Sequence, residues 1–219
     1  METNKKETDP LNGPSKSTNT TFAVICMVAL ANGVLGLSDL AMSYLYKDDF
    51  GMSPAAVSLA NSLTGIPWII KPLWGFISDC FPILGYRRKP YLTIFGFVGV
   101  TAWLFMSFVV SAPWMAICTM FVIQIGCAFC NVIGEALVVE ESQKAGASQE
   151  EASKYVTTFF AVRSIGIILT AYSSGIILTV LDKRHVFFIT ACFPLMMVLA
   201  SALLTEKKNS AHEGPTVCG

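Results

Sequence analysis

Charged residues are scarce in this 219-residue chain, where Asp, Glu, Lys and Arg make up 14% of the sequence, against about 25% in an average soluble domain. Neither sign predominates, because 15 basic residues balance 15 acidic ones. The chain therefore lacks the basic surface that is typical of nucleic-acid-binding proteins. It also lacks a phosphate-binding glycine loop, a zinc signature and a serine-centred nucleophile motif. We therefore expect no nucleic-acid partner, no metal site, no cofactor and no enzymatic activity.

Apolar residues take the place of the missing charges, at 53% of the chain. This content excludes intrinsic disorder as the main state. A membrane helix needs roughly 20 largely apolar residues, and we predict six spans at residues 22–46, 55–78, 91–111, 114–139, 155–181 and 186–204. Five of the seven cysteines fall inside these spans, which argues against a disulfide-stabilised secreted domain. The expected fold is an all-α membrane bundle embedded in a lipid bilayer.

The chain divides into a polar N-terminal tail (residues 1–21), the six-span bundle (22–205) and a polar C-terminal tail (206–219). The two tails and the loops after the second and fourth spans carry ten Lys and Arg residues, whereas the other loops carry three. Cytosolic loops hold the excess of Lys and Arg, so both termini are predicted to lie in the cytosol. The plasma membrane is the default location, and an organelle membrane is the alternative.

Polar side chains recur at a seven-then-four spacing in two spans. In the fourth span these are Gln124, Asn131 and Glu135, which lie within roughly 20° of one line along a helix. The first span repeats the spacing at Asn32, Asp39 and Ser43. We predict a water-filled cavity between the two helices, although such amides also join membrane helices by hydrogen bonds, and neither interpretation of the amides is favoured. Because the two spans run in opposite directions, an inverted three-plus-three repeat would produce the same pattern.

Two cations, Lys71 and Arg163, lie inside spans, each roughly 12 Å from the predicted cytosolic end. Glu135 lies at a similar depth, and charges within spans usually face the bundle interior or a cavity. We expect Glu135 between the two cations. Either the two cations hold an anionic substrate or switch partners during gating, or the charges form a static buried ion pair. The sequence favours neither alternative. By contrast, Glu140 and Glu141 are interpreted as solvated residues at a helix end.

A loop motif and several ordered segments carry a family resemblance. The end of the second span and the loop after it contain Gly75, Asp79, Gly85, Arg87, Arg88 and Lys89. This arrangement resembles the cytosolic gating motif of the major facilitator superfamily, with extra residues between the acid and the second glycine. The segments are residues 36–41 (GLSDLA), 44–49 (YLYKDD), 66–79 (IPWIIKPLWGFISD), 85–88 (GYRR), 135–140 (EALVVE) and 163–166 (RSIG). Together they resemble the folate–biopterin transporter family of that superfamily.

The resemblance implies a secondary transporter, or its N-terminal six-helix half, that moves folate, biopterin or a related organic anion by alternating access, coupled to an ion gradient. By resemblance Asp39, Lys71, Glu135 and Arg163 take part in substrate binding or coupling, and the polar stripes add Asn32, Gln124 and Asn131. The alternative is a non-transporting six-span interaction or scaffold protein, or a degenerate transporter fragment. Such facilitators have two six-helix halves, so the expected partner is a missing C-terminal half or a second copy in a homodimer.

Overall fold

The computed structural model describes residues 16–144 and 149–204. Its helices are α1 (Lys16–Val34), α2 (Leu37–Tyr44), α3 (Pro54–Ile69), α4 (Lys71–Cys80), α5 (Lys89–Phe108), α6 (Pro113–Lys144), α7 (Gln149–Val180), α8 (Lys183–Thr190) and α9 (Cys192–Leu203). A π-helical turn (Leu45–Asp49) extends α2. In these two ranges the only β pairing is an isolated bridge between Ile83 and Tyr86. The all-α expectation is confirmed. Residues 1–15 of the predicted N-terminal tail and the whole predicted C-terminal tail lie outside the described residues.

Five helical stretches of the described chain are long and apolar enough to cross a membrane. They are Phe22–Asp49, Lys89–Phe108, Pro113–Gln143, Ser153–Val180 and Lys183–Leu203. Each coincides with one of the predicted spans. The remaining predicted span corresponds to α3 and α4, which are helical but carry Ser58, Asn61, Ser62 and Lys71. The count of six spans therefore stays a prediction, because these polar residues make the α3–α4 stretch less apolar than the other five.

The helix break at Ile70, between α3 and α4, has a proline as its cause. Pro72 has no N–H with which to bond the carbonyl of Trp68, four residues earlier. Trp74 bridges the break, because its indole Nε1 donates to the carbonyl oxygen of Pro67 at 2.9 Å. Broken membrane helices are tolerated where neighbouring side chains bond the freed backbone groups in this way.

Two apolar clusters hold the helices together, one toward each end of α5. In the first, the rings of Trp103 and Phe187 stack with centroids 5.9 Å apart. In the second, Phe129 stacks on Phe95 at 4.1 Å and on Tyr91 at 5.5 Å. Lipid tails are as apolar as these side chains, so the contacts stabilise the bundle by close packing more than by hydrophobic burial.

Helices α1 and α7 cross closely at two glycines, Gly33 and Gly166. A Cβ atom on Gly33 would lie 2.4 Å from the carbonyl oxygen of Arg163, and one on Gly166 would lie 3.1 Å from the Cα of Gly33. The hydroxyl of Thr170 donates to the carbonyl of Gly33 at 3.4 Å. Small residues let membrane helices approach one another in this way, and the crossing holds the backbone of Arg163 against α1.

Gly33→Ala is expected to destabilise the bundle, because the added methyl group would overlap the carbonyl oxygen of Arg163. Overpacking of this kind typically costs about 1–3 kcal/mol. Gly65→Ala is the matched control, since Gly65 also lies inside a helix and a Cβ atom there meets nothing within 4 Å. Thermal unfolding followed by fluorescence-detected size-exclusion chromatography compares the two variants. Equal thermal midpoints would contradict the close crossing of α1 and α7.

Candidate functional site

An open cavity of about 420 Å³ is lined by residues of α1, α2, α3, α5, α6 and α7. Four of the predicted site residues line it, namely Asn32, Asp39, Gln124 and Arg163. Its volume falls within the roughly 300–1,000 Å³ of small-molecule sites in proteins. The structure therefore brings residues of both polar stripes to the wall of one cavity.

Helical phase explains how each stripe reaches the cavity. Asn32 and Asp39 are seven residues apart, about two turns of helix. A turn at Leu35 and Gly36 separates α1 from α2, but both residues still face the cavity. Across the wall, the indole Nε1 of Trp68 donates to Oε1 of Gln124 at 3.0 Å. This hydrogen bond joins α3 to α6, so the amide of Gln124 both lines the cavity and connects two helices.

The two tryptophans on the wall, Trp68 and Trp103, were not among the predicted site residues. Trp68 could have been predicted as a site residue from the sequence, because it lies between Pro67 and Lys71 in a span that carries a charge. Trp103 could not, because its span has no charged residue to mark one face as functional. Trp68 is half-buried and gives the cavity apolar surface between its polar groups, whereas Trp103 is buried and lies behind the wall.

The remaining predicted residues form an ion cluster beside the cavity. Nζ of Lys71 lies 2.5 Å from Oδ1 of Asn131 and 3.1 and 3.2 Å from the two carboxylate oxygens of Glu135. Nη1 of Arg163 lies 3.9 Å from Oε1 of Glu135. Nζ of Lys71 also lies 5.5 Å from the ring centroid of Trp68, close enough for a cation–π interaction. Glu135 therefore lies between two cations, as the sequence predicted.

The seven predicted residues thus fall into two groups that share Arg163. Lys71, Asn131 and Glu135 do not line the cavity, whereas Arg163 both lines it and pairs with Glu135. The pair of Arg163 with Glu135 is the longer of the two salt bridges to this carboxylate. A charged ligand in the cavity would therefore meet Arg163 first. Whether these residues bind substrate stays a prediction.

A second ion cluster joins the loop after α4 to α6. Nε and Nη2 of Arg88 donate to Oε1 of Glu140 at 3.0 and 2.7 Å, and Nη2 lies 3.6 Å from Oδ1 of Asp79. The side chain of Arg88 is only 8% exposed. The interpretation of Glu140 as a solvated residue was wrong, because α6 continues to Lys144 and brings the carboxylate against the loop. Glu140 ends the segment EALVVE, which contributed to the family resemblance, and this was the signal that could have identified it.

The tight turn before Arg88 depends on its glycine. Leu84 and Gly85 have positive φ angles of 55° and 83°, a region that glycine adopts without steric cost. The backbones of Ile83 and Tyr86 exchange two hydrogen bonds of 3.0 Å across the turn. Arg87 follows directly, so the turn reverses the chain and delivers the basic run to the start of α5.

The other two motif residues connect neighbouring helices. A Cβ atom on Gly75 would lie 3.4 Å from Cγ1 of Val132, so α4 packs closely on α6. Nζ of Lys89 lies 3.5 Å and 3.3 Å from the carbonyl oxygens of Ala202 and Leu204. A cation suits the carbonyl end of a helix, and this contact ties the start of α5 to the end of α9. The motif residues therefore contact α6 and α9, although their role in gating stays a prediction.

Comparisons with known proteins agree with this architecture. Residues 32–217 match the model of the BT1 family. A folate-biopterin transporter of Synechocystis is 38% identical over 189 residues, which is 86% of this chain and 38% of that protein. Folate transporter 2 of Plasmodium falciparum is 36% identical over 192 residues, 88% of this chain and 42% of that protein. Probable folate-biopterin transporter 4 of Arabidopsis thaliana is 28% identical, over 84% of this chain and 38% of that protein.

The chain spans about two fifths of the length of these relatives. The relatives are named as transporters and not as enzymes, and the family resemblance predicted from the sequence is confirmed. The wider link to the major facilitator superfamily stays a prediction. Because the family model covers most of the chain and the apolar helices are long enough to cross a bilayer, this protein is an integral membrane protein of the BT1 family, the folate-biopterin transporter family.

Proposed function

We propose that this chain is a secondary transporter, or the N-terminal half of one, that moves folate, biopterin or a related organic anion by alternating access. The relatives that it matches are named for folate or folate-biopterin transport. The observation that carries the proposal is the position of Glu135 between Lys71 and Arg163, beside a cavity within membrane-spanning helices. A charged cluster at this place suits a ligand that is itself charged.

The ion cluster supplies a mechanism for binding an anion. Charges inside a membrane are costly and usually line a pathway or pair with one another. The guanidinium of Arg163 offers a fork of donors that matches a carboxylate, and its bridge to Glu135 is long at 3.9 Å. A carboxylate of the substrate would compete with Glu135 for Arg163, leaving Glu135 to Lys71. This exchange of partners would couple substrate binding to a rearrangement of α6 against α7.

The architecture proposed for the whole transporter is that of the major facilitator superfamily, with an inverted three-plus-three repeat in this half. A second six-helix bundle, either a C-terminal half or a second copy of this chain, would complete the cavity. The low burial of α7 supports this arrangement, since the buried share is 17% in Ser153–Val180 and 44–61% in the other four apolar stretches.

The proposal also includes the orientation of the bundle in the membrane. With both termini in the cytosol, the cluster of Arg88, Asp79 and Glu140 lies at the cytosolic end of the bundle and acts as the gating contact. Lys183 and Arg184 lie at the outer end, where Lys183 pairs with Asp49 and Arg184 donates to the carbonyl of Ser107 at 3.1 Å. The plasma membrane is the proposed location, and an ion gradient the proposed energy source.

Uptake of radiolabelled folic acid into proteoliposomes that contain the chain tests the proposal. Lys71→Ala and Arg163→Ala are expected to lower uptake about 10- to 100-fold at equal protein content, as the loss of a charged hydrogen bond predicts. Lys154→Ala is the control, because Lys154 is 66% exposed and forms a surface pair with Glu150 four residues away. Wild-type uptake by both the Lys71→Ala and the Arg163→Ala variant would contradict the proposed roles. Absence of uptake by the wild-type chain would favour the non-transporting alternative.

A further inference from the structure

The cavity wall carries two hydrogen-bond acceptors that lack donors. Within the described residues, no hydrogen bond or salt bridge joins the carboxylate of Asp39 to another side chain, and Asp39 lines the cavity. Asn32 donates through Nδ2 to the carbonyl of Val28 at 2.9 Å, but its Oδ1 is buried without a donor. Buried polar groups normally find partners, so the unsatisfied Oδ1 of Asn32 calls for an explanation such as a ligand. The carboxylate of Asp39 is exposed to the cavity and can accept hydrogen bonds from the same ligand.

The charge of Asp39 is hard to reconcile with a site for a simple anion. An unpaired carboxylate on the wall would repel an anionic ligand, and it is itself costly within a membrane. Arg163 on the same wall would suffice to hold a carboxylate. The presence of both groups fits a ligand that is anionic at one end and rich in N–H donors at the other.

We propose that Asp39 binds the amino-oxo-pyrimidine edge of a pterin ring, and so determines which heterocycle the site accepts. This inference rests on the proposed function, which supplies folates and biopterins as the substrate class. The edge presents a ring N–H and an exocyclic amino N–H side by side, in the same fork that a guanidinium offers. A carboxylate accepts both hydrogen bonds at once, and such charge-assisted pairs are among the strongest in proteins.

The half-buried Trp68 on the wall offers apolar surface to a flat heterocycle held by its edge, with the buried Trp103 behind it. Trp68 is fixed by its hydrogen bond to Gln124, and Trp103 is fixed by stacking on Phe187. Sites for small molecules combine such rigid apolar surface with a few polar groups that set orientation. In this arrangement Asp39 holds the pterin edge, while Arg163 holds a carboxylate of the tail when the ligand has one.

A binding experiment with matched ligands tests the assignment. The chain is reconstituted in lipid nanodiscs, and labelled folic acid is competed with folic acid, with its 2-desamino-2-methyl analogue and with p-aminobenzoylglutamate. The wild-type chain is expected to bind folic acid about 10- to 100-fold more tightly than the analogue that lacks the amino group. Asp39→Asn is expected to lose this preference, because an amide offers one acceptor where the carboxylate offers two. Affinity for p-aminobenzoylglutamate should not fall in Asp39→Asn, since this fragment lacks the pterin edge and the variant removes a carboxylate that repels anions.

Asp48→Asn is the matched control, because Asp48 belongs to the same helical stretch but lines a different cavity. It should keep the wild-type preference. Equal wild-type affinities for folic acid and its desamino analogue would overturn the assignment without any variant. The assignment would also be overturned if Asp39→Asn kept the preference for folic acid over the desamino analogue but lost uptake driven by an ion gradient. Asp39 would then act in coupling. No binding of any of these ligands by the wild-type chain would instead overturn the proposed function.

Discussion

Glu135→Gln is expected to destabilise the bundle strongly, because it leaves two cations facing each other within membrane-spanning helices. Glu135 lies 3.1 Å from Nζ of Lys71 and 3.9 Å from Nη1 of Arg163. Removing one partner of a fully buried ion pair costs roughly 3–5 kcal/mol. The side chains of these three residues are 25–37% exposed, so the loss of stability should be smaller than for a fully buried pair. We expect a loss of about 1–3 kcal/mol, the usual range for an unsatisfied polar group.

Lys71→Met is expected to cost much less, although it breaks the shorter of the two bridges. It leaves Glu135 paired with Arg163, so the cluster becomes neutral, whereas Glu135→Gln raises its net positive charge. The double variant Lys71→Met/Glu135→Gln leaves a single cation and should be more stable than Glu135→Gln alone. This non-additivity is the signature of residues in direct contact.

Thermal midpoints of the three variants, measured in the same lipid, check this order. For a chain of this length each kcal/mol corresponds to roughly 2–4 °C. Equal losses for the two single variants, or strict additivity in the double variant, would count against the cluster. Uptake measured on the same samples separates stability from transport, because Lys71→Met should be more stable than Glu135→Gln and yet lower uptake about 10- to 100-fold.

Arg88→Met is expected to loosen the contact between the loop after α4 and helix α6. The change leaves the carboxylates of Asp79 and Glu140 near one another without the buried guanidinium, which is only 8% exposed. We expect a loss of about 1–3 kcal/mol. Arg88→Lys keeps the charge but replaces a planar fork by a single ammonium group. Its loss should therefore be intermediate.

Two measurements test this prediction. The thermal midpoint reports the change in stability, and limited proteolysis of the loop at residues 81–88 reports its release from α6. Lys154→Met serves as the control, since its bridge to Glu150 lies between side chains that are 66% and 80% exposed, and such surface pairs contribute about 0–1 kcal/mol. An Arg88→Met protein as stable and as protease-resistant as the control would show that the cluster does not hold the loop.

The polar stripes were predictable because helical phase depends only on spacing along one stretch of chain. Gln124, Asn131 and Glu135 share one face of α6 wherever that helix lies in the bundle. The kink in the second span was predictable for the same reason, since Pro72 removes a local backbone donor. The depth of Lys71 likewise followed from its distance to a helix end.

The pairing of charges was less predictable, because it depends on helices that are distant in sequence. The expectation that Glu135 lies between Lys71 and Arg163 is confirmed. It required only the depth of each residue along its span, which is similar for all three. Glu140 was misread, because nothing local indicates that α6 extends far enough to meet Arg88. The depth of a residue along its span follows from spacing in the sequence. Its contacts with other helices depend on how each helix is rotated about its axis, which spacing does not give.

Composition and spacing were enough to establish a helical membrane protein, the places of five apolar helices and the polar faces of two of them, because hydropathy and helical phase accumulate along consecutive residues. The tertiary structure alone decided that Trp103 joins the cavity wall, that Asn131 binds Lys71 and that Arg88 meets Glu140. These contacts depend on how the helices cross and rotate. That arrangement is set by close approaches between distant residues, such as Gly33 against Gly166, which no stretch of sequence contains.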